Sequence, residues 1–166
     1  MAIIDAMLQE LEQEAQTTRK VLALVPDDQL KWKPHAKSRT LGELALHIAT
    51  VPGAVAELAA SSTEAQLPNF TDPSPQTAAE LISTLDASIS KAKNALSKLD
   101  DGAIMETWRL KHGDKEVFAL PRVAFLRSVM LNHWYHHRGQ LSVYLRELDI
   151  PLPSIYGPSA DENPFA

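Results

Sequence analysis

Apolar positions recur at three- and four-residue spacing through four long stretches of this chain, the period of an amphipathic helix with one buried face. The first stretch runs from residue 3 to about 25, with Ile4, Met7, Leu8, Leu11, Ala15, Thr18, Leu22 and Val25 on its stripe. Pro26 stops it, and Asp27-Asp28 open a turn or a short helical connection. The second begins at Ser38 or Thr40, where Thr40 and Glu43 have capping-box spacing, and fades near Ser61-Ser62. Its stripe is Leu44, His47, Ile48, Val51, Val55 and Leu58, and Pro52 should kink it. The third starts at Ser74 or Pro75 and ends near Leu99, before Asp100-Asp101-Gly102. The fourth opens at Pro121, which suits a first helical position, and runs to about Leu148, with Leu126, Met130, His133, His137, Leu141, Tyr144 and Leu148 on one face.

The connections differ from one another. Residues 62–75 are polar and carry Pro68, Pro73 and Pro75, which predicts a long crossover and helices two and three that are not a simple antiparallel pair. Residues 106–119 lose the helical period, and Gly113-Asp114 between short apolar runs predicts a small hairpin. Trp32 is placed across the bundle edge, and Ile155, Tyr156 and Phe165 are candidates to pin the proline-rich tail, 151–166. The expected fold is all-α, a four-helix bundle forming a single domain over residues 1–166.

Composition narrows the chemistry. The net charge of −5 argues against general nucleic-acid binding, which rewards dense Lys/Arg patches. No run of apolar residues approaches the roughly 20 that span a bilayer, and the acidic N-terminal stretch does not resemble a secretion signal, so no membrane and a cytoplasmic location are expected. The chain has no cysteine, so disulfides, thiolate ligands and a cysteine nucleophile are excluded. Any metal must be held by histidine, carboxylate, carbonyl or water.

Three of the six histidines lie in the ten residues Leu131–Gln140, reading LNHWYHHRGQ. His133 and His137, four apart, share one helix face about a turn apart. They, and His47 on the second helix, interrupt stripes of Leu, Ile, Val and Met. Burying an unpartnered polar ring costs about 1–3 kcal/mol. A core histidine bonded to a carbonyl is the ordinary explanation for one such residue; three facing one core instead point to a shared metal ion. Mutual repulsion would keep them neutral, the form that ligates. His136 is the rival to His137, because i, i+3 spacing with His133 also works, although His136 sits off the stripe. Three neutral imidazoles leave a coordination position open, as in catalytic sites, and suit zinc or nickel, with iron and copper as alternatives. Such an ion would lower the pKa of a bound water or thiol.

The other candidates carry less. Gln140 is within reach of the histidines, Arg138 points off the stripe toward a salt bridge or helix contact, and Trp134 and Tyr135 read as packing residues. His35 and His112 fall in a loop and a turn. No carboxylate lies within a turn of the histidines on either stripe, which leaves Glu43 or a tail acid as the only general bases to consider.

The run His133–Leu141 resembles the HxxxHRGQ signature of DinB-like proteins, and Leu41–Ala49, around His47, resembles that family's first-histidine motif. Val25-Pro26 through Trp32-Lys33-Pro34 and the closing Ile155–Ser159 are similar too, so the resemblance covers nearly the whole chain. It implies an up-down-down-up bundle, a nickel or zinc ion on His47, His133 and His137, and a homodimer. It implies a small-molecule substrate rather than DNA: some relatives transfer a low-molecular-weight thiol, and others are described as metal-dependent hydrolases. The leading expectation is a metal-dependent enzyme that ionises such a thiol for attack on an electrophile. The alternatives are a hydrolase attacking with metal-activated hydroxide, and a non-catalytic metal or small-ligand binding protein.

Overall fold

The computed structural model describes residues 2–69, 71 and 73–166; Phe70 and Asp72 of the crossover lie outside the described residues. Helix α1 spans Ile3–Leu22 and buries Met7, Leu11, Ala15, Thr18 and Leu22 along the expected stripe. It ends three residues before the expected limit, and Asp27–Gln29 form a short 3-10 turn after Pro26. Helix α2 spans Leu41–Ser61. Its capping box is complete: Thr40 Oγ1 accepts from the Glu43 amide at 3.2 Å, and Glu43 Oε2 accepts from the Thr40 amide at 2.7 Å.

Helix α3 spans Ala79–Leu96, starting later than the sequence suggested, because Glu80 turns back to accept the amides of Gln76 and Thr77. α2 and α3 pack closely and in the same order. Gly42 lies against Ser74 and Pro75, Gly53 against Ser88, and Glu57 pairs with Lys91. The approach at Gly53 is tight enough that a Cβ there would stand 2.8 Å from the Ser88 carbonyl oxygen. The last helix is built in three consecutive parts: α-helical α5 over Arg122–Phe125, a π-helical segment over Leu126–Asn132, and α6 over His133–Glu147.

The fold departs from the all-α expectation outside the bundle. A short helix, α4, forms at Asp101–Met105 where the third helix was expected simply to stop; the Asp100 side chain caps it by accepting from the Ala103 amide at 2.7 Å. The expected hairpin is present as strands β2, Thr107–His112, and β3, Lys115–Pro121, joined through Gly113 at φ 60°. A third strand, β1, Glu64–Gln66, comes from the crossover and pairs parallel to β2. Pro121 therefore closes β3 and precedes the last helix instead of opening it. Buried Trp108 on β2 stacks on Phe125 at 4.1 Å between ring centroids, fastening the sheet to one end of the bundle. Trp32 packs edge-on against Tyr144 of α6 at 5.6 Å.

Contrary to the reading of the bare sequence, one segment is long and apolar enough to cross a bilayer. It is α2, with mean hydropathy 1.4, and the fold buries half of it in the bundle.

Candidate metal centre

α2 and the last helix meet along a seam that fixes three histidines. Pro52 has no amide hydrogen to offer the Ile48 carbonyl one turn back. The indole of buried Trp134 donates to that carbonyl instead, at 2.9 Å. This bond sets the register of the two helices one residue away from His47 and His133. The Gly53 amide, next to the same proline, donates to Ser88 Oγ at 2.8 Å, and that hydroxyl donates on to the Thr50 carbonyl.

His47, His133 and His137 converge, each presenting a ring nitrogen within 4.8 Å of the other two. His133 Nε2 lies 2.8 Å from His137 Nε2 and 3.4 Å from His47 Nε2. The rings stand edge-to-face rather than stacked. His137 is buried and the other two are half-buried.

The protons can be placed from the partners. His133 Nδ1 is 3.3 Å from the Val129 carbonyl, which can only accept, so Nδ1 carries the hydrogen. His137 Nδ1 is 2.6 Å from Gln140 Oε1, an acceptor as well. In the neutral rings this leaves both Nε2 atoms as bare lone pairs, pointed at one another across 2.8 Å. Two lone pairs at that distance repel unless a cation lies between them. The donor set therefore fits a divalent ion: neutral imidazoles with Nδ1 hydrogens fixed by a carbonyl and an amide oxygen, and Nε2 atoms turned inward.

Electrostatics favour the neutral form. Burial pushes the His137 imidazole down to about 4, against the Gln140 hydrogen bond, with the positive potential of His133, Arg39 and His136 adding to the shift. Burial lowers His133 too; its bond to Val129 opposes the shift, and His136 and Arg39 reinforce it.

The remaining candidates separate cleanly. His136 is exposed and outside the cluster, although its ring is 5.0 Å from that of His137. His35 and His112 are exposed and outside the cluster. Glu43 is engaged in its capping box. The tail acids are engaged as well: Asp161 with Arg146 and the Leu152 amide, Glu162 with the Ser154 amide. Tyr135 donates to Glu10 at 2.9 Å, and its phenol is pushed up by burial and that carboxylate. Arg138 does form the expected ion pair, with Glu14 of α1 at 2.6 Å, and is almost fully buried.

Two features escaped the sequence. The π-helical segment supplies the Val129 carbonyl that orients His133, a placement π turns often have beside functional sites. A cavity of about 280 Å³ opens beside His47 and His133, between α2, the crossover, β2 and the start of the last helix.

Comparison with known proteins agrees with this architecture. The model of the DinB superfamily matches residues 10–141. The chain belongs to the DinB superfamily. Among its relatives, YrdA of Bacillus subtilis (strain 168), an uncharacterized protein, is 29% identical over 168 residues, covering 96% of this chain and 91% of YrdA. A DinB-like protein from Bacillus cereus ATCC 10987 superposes with a TM-score of 0.71 at 25% identity, over 93% of this chain and 98% of its own. YfiT from Bacillus subtilis, described as a probable metal-dependent hydrolase with an unusual four-helix bundle topology, superposes with a TM-score of 0.66 at 15% identity, over 89% of both chains. These DinB superfamily structures share the four-helix framework on which the three histidines stand.

Proposed function

We propose that this DinB superfamily protein is a metal-dependent enzyme whose site is His47, His133 and His137. The observation that carries the reading is the pair of inward-facing Nε2 lone pairs of His133 and His137, 2.8 Å apart with both Nδ1 hydrogens committed elsewhere. A divalent zinc or nickel ion on these nitrogens would supply Lewis acidity, lowering the pKa of a thiol or water at its open position. The chain's own part is to hold the His133 and His137 rings neutral by burial, to fix their tautomers through Val129 and Gln140, and to leave one side open to the cavity. The order of helix contacts supports the up-down-down-up course, in which His47 is brought to the last helix from a parallel α2–α3 pair.

The attacking group in this reading is a low-molecular-weight thiol, and its partner a carbon electrophile. No carboxylate among the described residues joins the three histidines, so the site suits a nucleophile that ionises without a general base. Hydrolysis is the second reading, favoured by the description of YfiT as a probable metal-dependent hydrolase.

The first test is elemental analysis of protein prepared without chelators. About one zinc or nickel per chain is expected, and loss of that metal in His47→Ala. A metal-free wild type would overturn the proposal. Loaded protein should then consume a thiol together with chlorodinitrobenzene; cleavage of activated esters without thiol would select hydrolysis. A melting temperature that responds to ligand, with neither reaction, would make it a binding protein.

A further inference from the structure

The stripe of α2 does not stop at its histidine. Beyond His47, the positions Thr50, Val51, Ala54, Val55 and Leu58 continue on the same face and form one wall of the cavity. Val51, Val55 and Leu58 read as core in the sequence, yet Val55 and Leu58 are only half-buried, and Ala54 beside them is exposed. Opposite them, Leu67 of the crossover and Val129 of the π-helical segment are half-buried too, with Leu110 and Phe125 closing the floor. Thr50 adds little polarity, because its hydroxyl is taken up by the Leu46 and His47 carbonyls at 3.0 and 3.1 Å. Among the described lining residues none is an acid, lysine or arginine.

From this geometry we propose that the cavity holds the uncharged, ring-sized apolar part of the substrate, placing its reactive atom beside the histidines. The inference rests on the proposed function, because the histidines define which end reacts. Size supports it: a dry apolar cavity of about 150 Å³ holds a benzene ring, so 280 Å³ accommodates one or two fused rings and a reacting group. Charge supports it as well. A carboxylate, phosphate or ammonium lodged among these side chains would lose its hydration without gaining a counter-ion from the described lining. An alkyl or aryl group instead covers Val55, Leu58, Leu67 and Val129, which the fold leaves incompletely covered.

The experiment compares two probes on zinc-loaded protein by calorimetry: acetohydroxamate, which offers only a chelating head, and benzohydroxamate, which adds a phenyl ring to that head. Benzohydroxamate should bind at least tenfold more tightly, as expected for burial of a ring. Ala54→Phe, at an exposed position where a larger side chain displaces no core residue, and Leu67→Asp, which puts a charge at the lip, should each bring the ratio to within twofold of one. A wild-type ratio within twofold of one, or a tenfold ratio that survives both substitutions, overturns the proposal. A metal-independent arm separates its failure from that of the metal reading. The probe there is 2-naphthol on metal-free protein, with 2-naphthalenesulfonate as the charged counterpart. Binding of 2-naphthol at least tenfold tighter than the sulfonate, lost in Ala54→Phe, upholds the cavity proposal even if no hydroxamate binds. Equal binding of the two, or binding of neither, overturns it. So does a change of Ala54→Phe from dimer to monomer in sedimentation without naphthol binding to the wild type, which would make the face a contact between copies.

Discussion

At the scale of single residues, the site is defined by where protons cannot go. His137 is held near 4, well below the roughly 6.5 of a histidine in an unfolded chain, and His133 is lowered as well. Above about pH 6.5 both imidazoles are neutral in either state, and stability gains nothing from further alkali. As pH falls from about 6.5 toward 4, the unfolded chain takes up protons that the folded site refuses, so folding loses free energy over that window. Metal-free protein should therefore show a denaturation midpoint that is flat from pH 7 to 8 and declines steadily toward pH 4.5. His137→Gln removes the largest of these shifts, so the decline should be shallower in the variant. An equal decline in both proteins would show that His137 is not the group refusing the proton.

At the scale of elements, a defect in one helix is repaired by another. Pro52 leaves the Ile48 carbonyl without its helical donor, and Trp134 supplies one across the seam. Trp134→Phe keeps the ring's bulk but orphans a buried carbonyl, at a cost of about 1–3 kcal/mol. Denaturant melts should show that loss. Zinc affinity should fall with it, because the same bond keeps His47 and His133 in register. Pro52→Ala restores the helical amide, so Trp134→Phe should cost less when made in the Pro52→Ala background. A full loss in both backgrounds would mean that the indole's packing alone matters.

This seam also shows what the sequence discloses and what it withholds. The helices were legible because their stripes keep one period over many turns, and the three histidines because polar rings on such stripes demand a reason. The hairpin was legible through Gly113 and Asp114. Strand β1 was not: Glu64-Ala65-Gln66 has no strand character of its own, and only the edge of β2 makes it pair. The π-helical segment was hidden because one widened turn leaves the spacing of Leu126, Met130 and His133 helical in appearance. The cavity was hidden because its α2 wall has the same apolar pattern as a core face; what distinguishes Val55 from Ile48 is the neighbour across from it.

At the scale of the whole molecule, a charge buried on the far face of the helix that carries His133 and His137 ties three parts of the chain together. Arg138 on α6 is 1% exposed and faces α1, where it pairs with Glu14, 7% exposed, and donates to Thr18 Oγ1 at 3.1 Å. It also donates to the Tyr156 hydroxyl at 2.6 Å, and that hydroxyl donates to Glu14 at 2.9 Å. Tyr156 thereby fastens the tail, as the sequence suggested, although its ring is largely exposed and held by two hydrogen bonds and the guanidinium over its face. Arg138→Met strands the Glu14 carboxylate in the interior, which should cost about 3–5 kcal/mol, while Glu14→Leu with Arg138→Met removes both charges and should recover most of that loss. Tyr156→Phe leaves the ion pair in place and should be nearly neutral for global unfolding, yet it should speed proteolytic removal of residues 151–166, because the tail loses the two bonds that the Tyr156 hydroxyl makes to Arg138 and Glu14. Equal stability of the single and double variants at Arg138 and Glu14 would show that the pair is not coupled. Unchanged proteolysis of Tyr156→Phe would show that the tail is held instead by Asp161, through Arg146 of α6.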